Sequence, residues 1–168
     1  MSGVQRLLTT DRIFFVTVNL RRSPAPLKAG EFRFVAAAMN ESRRRLGFLL
    51  CGYVLMPGHW HALISTDDPL TISRVVQNIK WISARSLNGR RGAAGPVWQH
   101  QFWDRFVRHE KEFAARFDMH LNPVKKGLVS KPEQWRWSSY NNFALDKETV
   151  RRCPLRVNTV RLSESYRG

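Results

Sequence analysis

Three segments of the chain carry the hydrophobic patterns of β-strands. The first strand is predicted over RIFFVTVNLRR (12–22), which is rich in β-branched and aromatic residues. The second is predicted over FLLCGYVLM (48–56), whose nearly continuous apolar run is typical of a central strand buried on both faces. Pro57 and Gly58 interrupt this run, and HWHALIST (59–66) resumes as a third strand. The pattern therefore predicts one strand followed later by two adjacent ones.

Three other segments show helical periodicity. A helix is predicted over EFRFVAAAMNESRRRLGF (31–48), which follows a loop rich in proline and glycine. Another is predicted over LTISRVVQNIKWISARSLN (70–88), where the apolar residues follow the helical period. A third runs through HEKEFAARFDMHLN (109–122) and is expected to stop at Pro123.

Two remaining segments complete the order of elements. GRRGAAG (89–95) is expected to be a flexible basic loop, and VWQHQFWDRFV (97–107) to be extended. The order strand, helix, strand, strand, helix, strand, helix predicts an α+β domain with a mostly antiparallel sheet. Such a split βαβ arrangement packs its helices on one face of the sheet and leaves the other face available.

The charge balance points to a polyanionic partner. The chain has 168 residues, 28 Lys and Arg against 13 Asp and Glu, and a formal net charge of +15. A domain this basic usually meets nucleic acid and less often an anionic membrane. No run of 18 apolar residues occurs, so no membrane span is expected. The two cysteines, Cys51 and Cys153, lack the spacing of a metal site, which favours a reducing, cytoplasmic setting.

Two histidines flank a tryptophan at the start of the third predicted strand. Residues i and i+2 of a strand point to the same face, so His59 and His61 are expected on one side and Trp60 on the other. Two neighbouring imidazoles supply two ligands of a divalent metal site, or a clamp for a phosphate. Two simply solvent-exposed rings are the alternative that the short pattern leaves open.

The context of these histidines resembles a known family. YVLMPGHWHALI resembles the HUH motif (histidine, hydrophobic residue, histidine) of single-tyrosine transposases. Three later stretches resemble the REP-associated tyrosine transposases: VWQHQFWDRFVRHEKEF, MHLNPVKKGLV and WRWSSY. The resemblance covers residues 10 to 145, which places a transposase-like domain in residues 1–145 and a basic tail in residues 146–168.

This resemblance carries expectations of fold and activity. It implies a ferredoxin-like domain that binds single-stranded DNA folded into hairpins. It implies that His59 and His61 hold Mg²⁺ or Mn²⁺, which polarises a scissile phosphate that a tyrosine attacks. Cutting and rejoining DNA without an external energy source requires that the phosphodiester energy be stored in a covalent bond to the protein.

The chain departs from the family pattern at the nucleophile. The expected tyrosine lies just before the Asn-Pro-Val element, and direct counting puts Asp118 in its place. A deletion of the tyrosine between Asp118 and Met119 is the other possible alignment. Of the three tyrosines in the chain, Tyr53 is expected in the core and Tyr166 in a mobile tail. Tyr140 is therefore the fallback nucleophile, although packing against the domain is an alternative role for it.

The residues after the nucleophile position suggest a third metal ligand. The family pattern supplies one a helical turn after the tyrosine, and the amide oxygen of Asn122 matches that spacing. A helix cap before Pro123 is the alternative role for Asn122. His120 is expected to be structural or to support a ligand, because its ring points away from Asn122 on an ideal helix.

Candidate DNA contacts are cations and aromatic residues outside the expected core. Cations follow a phosphate backbone and aromatic faces stack on unpaired bases. The candidates are Lys125, Lys126, Arg105, Trp103, Arg90 and Arg91. Trp81, Trp98 and Trp137 are expected to be core residues instead.

Three functional hypotheses follow from the sequence. The first is a metal-dependent DNA strand transferase of the REP-associated type, either a monomer or a homodimer. The second is a catalytically inactive binder of the same hairpins, which the missing tyrosine favours. The third is an RNA-hairpin binder, which fits the charge but leaves the paired histidines unexplained.

Overall fold

A four-stranded antiparallel sheet forms the centre of the molecule. The computed structural model describes residues 8–10, 12–22 and 25–166. The sheet has the spatial order β3-β4-β2-β5, and every neighbouring pair is antiparallel. Its strands are β2 (Ile13–Asn19), β3 (Leu49–Met56), β4 (His59–Ser65) and β5 (Trp103–Val107). Because β2-α1-β3 and β4-α2-β5 are two interleaved βαβ units, the predicted α+β, ferredoxin-like topology is confirmed.

Two long helices cover one face of this sheet. They are α1 (Phe32–Leu46) and α2 (Ile72–Arg91), and their inward residues form the main core with Trp60 and Leu55. α1 ends at Gly47 and α2 ends at Gly92, with φ of 78° and 61°. The predicted basic loop over 89–95 is therefore wrong at its start, because Gly92 rather than Gly89 supplies the left-handed residue that ends α2.

The other face of the sheet is partly covered. It carries α3 (Glu110–Arg116), a 3-10 segment (Phe117–Leu121) and α4 (Asn122–Lys125). The single helix predicted over 109–122 is wrong, and so is its end at Pro123. Proline is tolerated in the first turn of a helix, where its missing N–H has no partner to lose, and Pro123 occupies that position in α4.

Glycine 52 allows this covering segment to approach the sheet. A Cβ at Gly52 would lie 3.0 Å from Met119 Cε and 3.1 Å from Phe117 Cε1. Met119 is buried beside Val54 and Leu63, which makes a second, smaller core on this face. The segment is thus anchored at Phe117 and Met119, on either side of Asp118 and before Asn122 and Lys126.

The extended segment predicted over 97–107 is a strand only in its second half. β5 begins at Trp103, and before it Trp98 makes an isolated bridge to Leu20. Residues 97–102 are otherwise irregular, and Lys80 Nζ holds them by donating to the carbonyls of Gln99 and His100 at 2.6 and 2.9 Å.

The C-terminal segment packs on the domain. It contains α5 (Lys147–Arg151) and β6 (Val160–Leu162), and β6 pairs in parallel with β1 (Leu8–Thr10). Tyr166 is 3% exposed and its hydroxyl accepts from the backbone N–H of Ile13, so its expected place in a mobile tail is wrong. Within the described part of the chain, no helix is both long and apolar enough to cross a membrane.

Candidate functional site

His59 and His61 lie side by side on the face of β4 that points away from α1 and α2. Their ring centroids are 4.7 Å apart with an interplanar angle of 69°. Trp60 between them points into the main core and is 1% exposed. The alternation expected of a strand therefore brings both imidazoles to one surface.

The neighbouring strand β2 orients the His61 ring. Thr17 pairs with His61 in the β2–β4 register, and its Oγ1 lies 2.8 Å from His61 Nδ1. Phe15 stacks on the same ring with centroids 5.3 Å apart and an interplanar angle of 19°. When Nδ1–H donates to Thr17, Nε2 keeps its lone pair free for a ligand. The contact is compatible with the tautomer that a metal requires at Nε2, and it fixes the orientation of the ring.

Both histidines are held in the neutral form that metal ligation requires. Burial, and then the neighbouring His59, lower the pKa of His61 from 6.5 to about 4. Burial, and then the charge of Lys126, also lower the pKa of His59. Imidazole nitrogens bind a divalent cation only when unprotonated, so the pair is ready to do so at neutral pH.

Asn122 lies on the segment that leads to the same site. Met119, Asn122 and Lys126 are spaced by three and four positions, so they share one side of that segment. Met119 packs against Gly52 at one end, and the charge of Lys126 acts on His59 at the other. Asn122 lies between these two anchor points and is half-buried.

The donor set fits an oxygen- and nitrogen-ligated divalent ion. In the described ranges no three His, Cys, Asp or Glu side chains come together as a ready metal cluster. The two imidazoles therefore need an oxygen donor of another type, and the Asn122 amide or a DNA phosphate is of that type. Imidazole with oxygen ligands suits Mn²⁺ and Mg²⁺ to different degrees, with Mn²⁺ the better match.

The position of the expected nucleophile is exposed to solvent. Asp118 lies in the 3-10 segment, and its carboxylate makes no hydrogen bond or ion pair with any residue in the described ranges. Tyr53 and Tyr166 are buried, so neither hydroxyl is available for attack on DNA. Tyr140 is 39% exposed and its ring lies edge-on to His120, with centroids 5.8 Å apart.

His120 is a buried structural residue. It is 5% exposed, and its Nε2 lies 2.7 Å from Ser139 Oγ. The same oxygen accepts from the backbone N–H of Tyr53 at 2.8 Å. Burial lowers the pKa of His120 to about 4, so this ring is neutral as well. The contact joins the segment carrying Asp118 to strand β3.

Two of the predicted DNA contacts share the histidine face. Trp103 pairs with Thr17 and Arg105 with Phe15 in the β2–β5 register, which puts both side chains on that face. Trp103 is 70% exposed. Arg105 forms an ion pair with Glu112 at 2.8 Å but remains largely exposed. Aromatic and cationic surface therefore lies two strands away from His61, on the far side of β2.

The other predicted contacts fall into two groups. Lys125 and Lys126 are exposed at the end of α4, and Lys126 lies close enough to His59 for its charge to act on that ring. Arg90 is exposed at the end of α2, on the opposite side of the sheet, whereas Arg91 is 15% exposed and donates to Glu31. That buried ion pair joins α2 to the start of α1, so Arg91 has a structural role rather than a free side chain for DNA.

Of the three tryptophans that were expected in the core, two are buried or partly buried and one is exposed. Trp98 is 3% exposed, and Trp137 packs partly buried against the main core. Trp81 is 55% exposed, so its expected burial is wrong. The inward stripe of α2 consists of Val75, Val76, Ile79, Ser83 and Leu87, and position 81 faces away from it.

Sequence reasoning missed Thr17 and Phe15, which orient His61. Both lie in β2, and only the register between β2 and β4 brings them to the histidine. Threonine is a common residue in β-strands, so Thr17 within the apolar strand β2 carries no local signal of this role. The sequence predicts that Phe15 and Thr17 share one face of β2, but it does not predict which residues of β4 lie opposite them.

Comparisons with known proteins agree on one family. The family model described as "Transposase IS200 like" matches residues 15–109, a range that includes both histidines and ends before Asp118. A REP-associated tyrosine transposase of Escherichia coli (strain K12) is 24% identical over 145 residues, covering 84% of each chain. A putative REP-associated tyrosine transposase of Haemophilus influenzae is 24% identical over 154 residues, covering 84% of this chain and 86% of the relative.

A solved structure gives the same result. It is described as a REP-associated tyrosine transposase bound to a REP hairpin, and it superposes with a TM-score of 0.69 at 25% identity. The match covers 83% of both chains. The common fold therefore includes the sheet that carries the two histidines.

Proposed function

We propose that this chain binds single-stranded DNA folded into a REP-type hairpin, because it belongs to the transposase IS200-like family. The solved relative that is bound to a REP hairpin supports this choice of partner. The net charge of +15 suits a polyanion, and the exposed Trp103 suits a strand with unpaired bases.

The observation that carries the proposal is the pair of neutral, oriented imidazoles on the sheet face. His59 and His61 with Asn122 would hold Mg²⁺ or Mn²⁺. When bound, such an ion neutralises the charge of a phosphate oxygen and polarises the phosphorus centre. Thr17 orients His61, and Lys126 adds a positive charge next to His59 for the DNA backbone.

The chain's own residues divide the work of holding DNA. Lys125 and Lys126 lie at the end of the segment that would bring Asn122 to the ion, so they attract phosphates close to the metal. Trp103 and Arg105 lie on β5, two strands from the histidines on the same face, and would engage the single-stranded flank. Each phosphate contact released by salt lowers affinity, so binding weakens steeply as ionic strength rises.

We further propose that this chain holds the hairpin without forming a lasting covalent intermediate. In the family the attacking group is a tyrosine, and Asp118 stands at that position by direct counting. A carboxylate attack on phosphorus gives an acyl phosphate, which is far more labile than a phosphotyrosine. Tyr53 and Tyr166 are buried, which leaves Tyr140 as the alternative nucleophile on the ground of its exposure.

A binding experiment tests the hairpin and metal parts together. Fluorescence anisotropy would compare a labelled single-stranded DNA hairpin from the flanks of the gene with a scrambled, unstructured strand and with the RNA form of the hairpin. We expect the DNA hairpin to bind most tightly and Mn²⁺ to strengthen its binding, with the Mn²⁺ effect absent in His59→Ala.

The matched control for charge is Arg152→Gln, which removes one exposed arginine directly after α5. It is expected to weaken binding less than Lys126→Gln does, although the two variants have the same net charge. Equal binding of the scrambled strand would refute the hairpin proposal. Tighter binding of the RNA form would favour an RNA partner instead.

A further inference from the structure

The outer face of α2 has an unusual composition for a helix. Its 20 residues include five cations, Arg74, Lys80, Arg85, Arg90 and Arg91, and no acidic residue. Four of the residues that point away from the core follow each other at spacings of three and four. This α2 outer row consists of Arg74, Gln77, Trp81 and Arg85, all of them exposed.

Trp81 stands at the centre of that row with its ring open to solvent. It is 55% exposed, and the guanidinium carbon of Arg85 lies 4.9 Å from its ring centroid. A tryptophan ring has a large apolar area, and an exposed one near cations is typical of a binding surface. Arg85 covers one face of the ring, so the other face remains for a ligand.

Two shallow grooves meet at Trp81. One has a volume of about 370 Å³ and runs toward Arg21 and Trp98. The other has a volume of about 350 Å³ and runs toward Arg45 on α1. Trp81 lines both, so it forms the ridge between them.

Positive charge dominates both sides of the ridge. Arg44 and Arg45 on α1 are 71% and 54% exposed, and they share the single carboxylate of Glu41. That carboxylate is therefore already compensated, and the surface around Trp81 retains a positive excess. An acidic or polyanionic partner fits such a surface, whereas a second copy of this basic chain would be repelled.

This surface lies on the opposite side of the sheet from the histidines. The inward side of α2 packs into the core that contains Trp60, and Trp60 points the opposite way from His59 and His61. The sheet and the core thus separate the α2 outer row from the proposed metal site. DNA held at one surface leaves the other accessible.

We propose that the α2 outer row is a second nucleic-acid-binding surface. Trp81 stacks on an unpaired base, while Arg74 and Arg85 contact the flanking phosphates. The chain then holds two DNA segments at once, on opposite sides of its sheet. Single-stranded DNA fits better than a protein partner because it offers both features the row requires, negative charge at regular spacing and exposed aromatic faces. The proposal goes beyond hairpin binding at the histidine face and does not depend on it.

A capture experiment on the full chain tests this surface. A biotinylated DNA hairpin on beads would bind the protein, and a labelled 20-nucleotide oligo(dT) would be added as the second strand. We expect the native chain to retain the oligo(dT). Trp81→Ala is expected to weaken that retention by roughly 5- to 150-fold, which corresponds to the loss of one base–aromatic stack. Arg85→Gln is expected to reduce the salt dependence of retention by about one counterion.

The controls separate this inference from the proposed function. Arg152→Gln removes the same charge from the end of α5, away from the α2 outer row, and is expected to retain the oligo(dT). Retention of the hairpin itself is expected to be unchanged in Trp81→Ala, since the two surfaces are separate. If the hairpin fails to bind but direct anisotropy with oligo(dT) depends on Trp81, the second surface stands and the hairpin proposal fails.

Two results would overturn the inference. One is oligo(dT) retention by Trp81→Ala and Arg85→Gln equal to that of the native chain. The other is a dimer of the native chain in sedimentation velocity that dissociates in Trp81→Ala while DNA affinity is unchanged, because a second copy would then cover the row. Circular dichroism of both variants checks that α2 remains folded, which the exposure of both side chains predicts.

Discussion

Replacing Thr17 with valine isolates the hydrogen bond that orients His61. Valine has nearly the shape of threonine and suits a β-strand equally well, so the strand pairing is expected to persist. The variant loses the oxygen that lies 2.8 Å from His61 Nδ1. The imidazole then rotates more freely and samples the tautomer whose Nε2 carries a proton and binds no metal.

The size of the effect follows from the role of such supporting bonds. Loss of a partner that orients a ligating histidine costs 10- to 100-fold in metal affinity, or about 1.4 to 2.7 kcal/mol. The stacking of Phe15 on the ring is unaffected and preserves part of the orientation, which favours the lower end of that range. Global stability is expected to change much less, because Thr17 is only partly buried.

The assay is the free Mn²⁺ signal in electron paramagnetic resonance, titrated with protein. Three chains are compared with the native one: Thr17→Val, His59→Ala and Thr159→Val. Thr159 is exposed just before β6 and serves as the matched control. Native affinity in Thr17→Val together with lost affinity in His59→Ala would refute the orienting role. Unchanged Mn²⁺ affinity in His59→Ala would refute the proposed metal site.

Two further predictions concern the segment that carries Asn122. Gly52→Ala places a methyl group 3.0 Å from Met119 Cε and 3.1 Å from Phe117 Cε1. Denaturant titration should therefore show a free energy of unfolding lower by about 1–3 kcal/mol because of overpacking, and Mn²⁺ affinity should fall with it. Unchanged stability would show that the segment is not pressed against the sheet. The free energy of unfolding should also decrease as pH falls from 6.5 toward 4, because the pKa of His120 is lowered from 6.5 to about 4 and the unfolded chain takes up the proton first. This residue contributes about 3 kcal/mol to that loss, beside a similar contribution from His61, whose pKa is also lowered to about 4. His120→Asn should therefore make the profile less steep, whereas His100→Asn, at an exposed position, should leave it unchanged.

The central part of the fold was predictable because its signals are local. The apolar run of β3 and the alternation of β4 are each contained in a few residues, and Pro57 with Gly58 marks the turn between them. A strand buried on both faces needs no knowledge of its neighbours to be recognised. The convergence of His59 and His61 on one face followed from the same two-residue period.

Trp81 shows that periodicity was a better guide than residue type. The spacing of Val75, Val76 and Ile79 already places position 81 on the outward side of α2. The expectation of burial came from the hydrophobicity of tryptophan itself. In a basic helix, the conflict between the residue type and its position is itself a signal of a binding surface.

The segment around the proposed nucleophile position could not be predicted from local pattern. Its helical period suggested one continuous helix, but Met119 and His120 are both buried and draw the chain into a tighter 3-10 turn. Their partners, Gly52 on β3 and Ser139 in the later loop, are distant in sequence. Tyr166 is buried for a similar reason, since the β1–β6 pairing that positions it joins the two ends of the described chain.

The most direct test of the account is a cleavage and adduct assay with a labelled hairpin DNA and Mn²⁺. It compares the native chain, Asp118→Tyr, and Asp118→Tyr combined with His59→Ala. The account predicts that the native chain binds the hairpin without forming an adduct stable in SDS, that Asp118→Tyr forms one, and that the added His59→Ala abolishes it. An SDS-stable adduct with the native chain that disappears in Tyr140→Phe would contradict the account, because another tyrosine would then perform the attack.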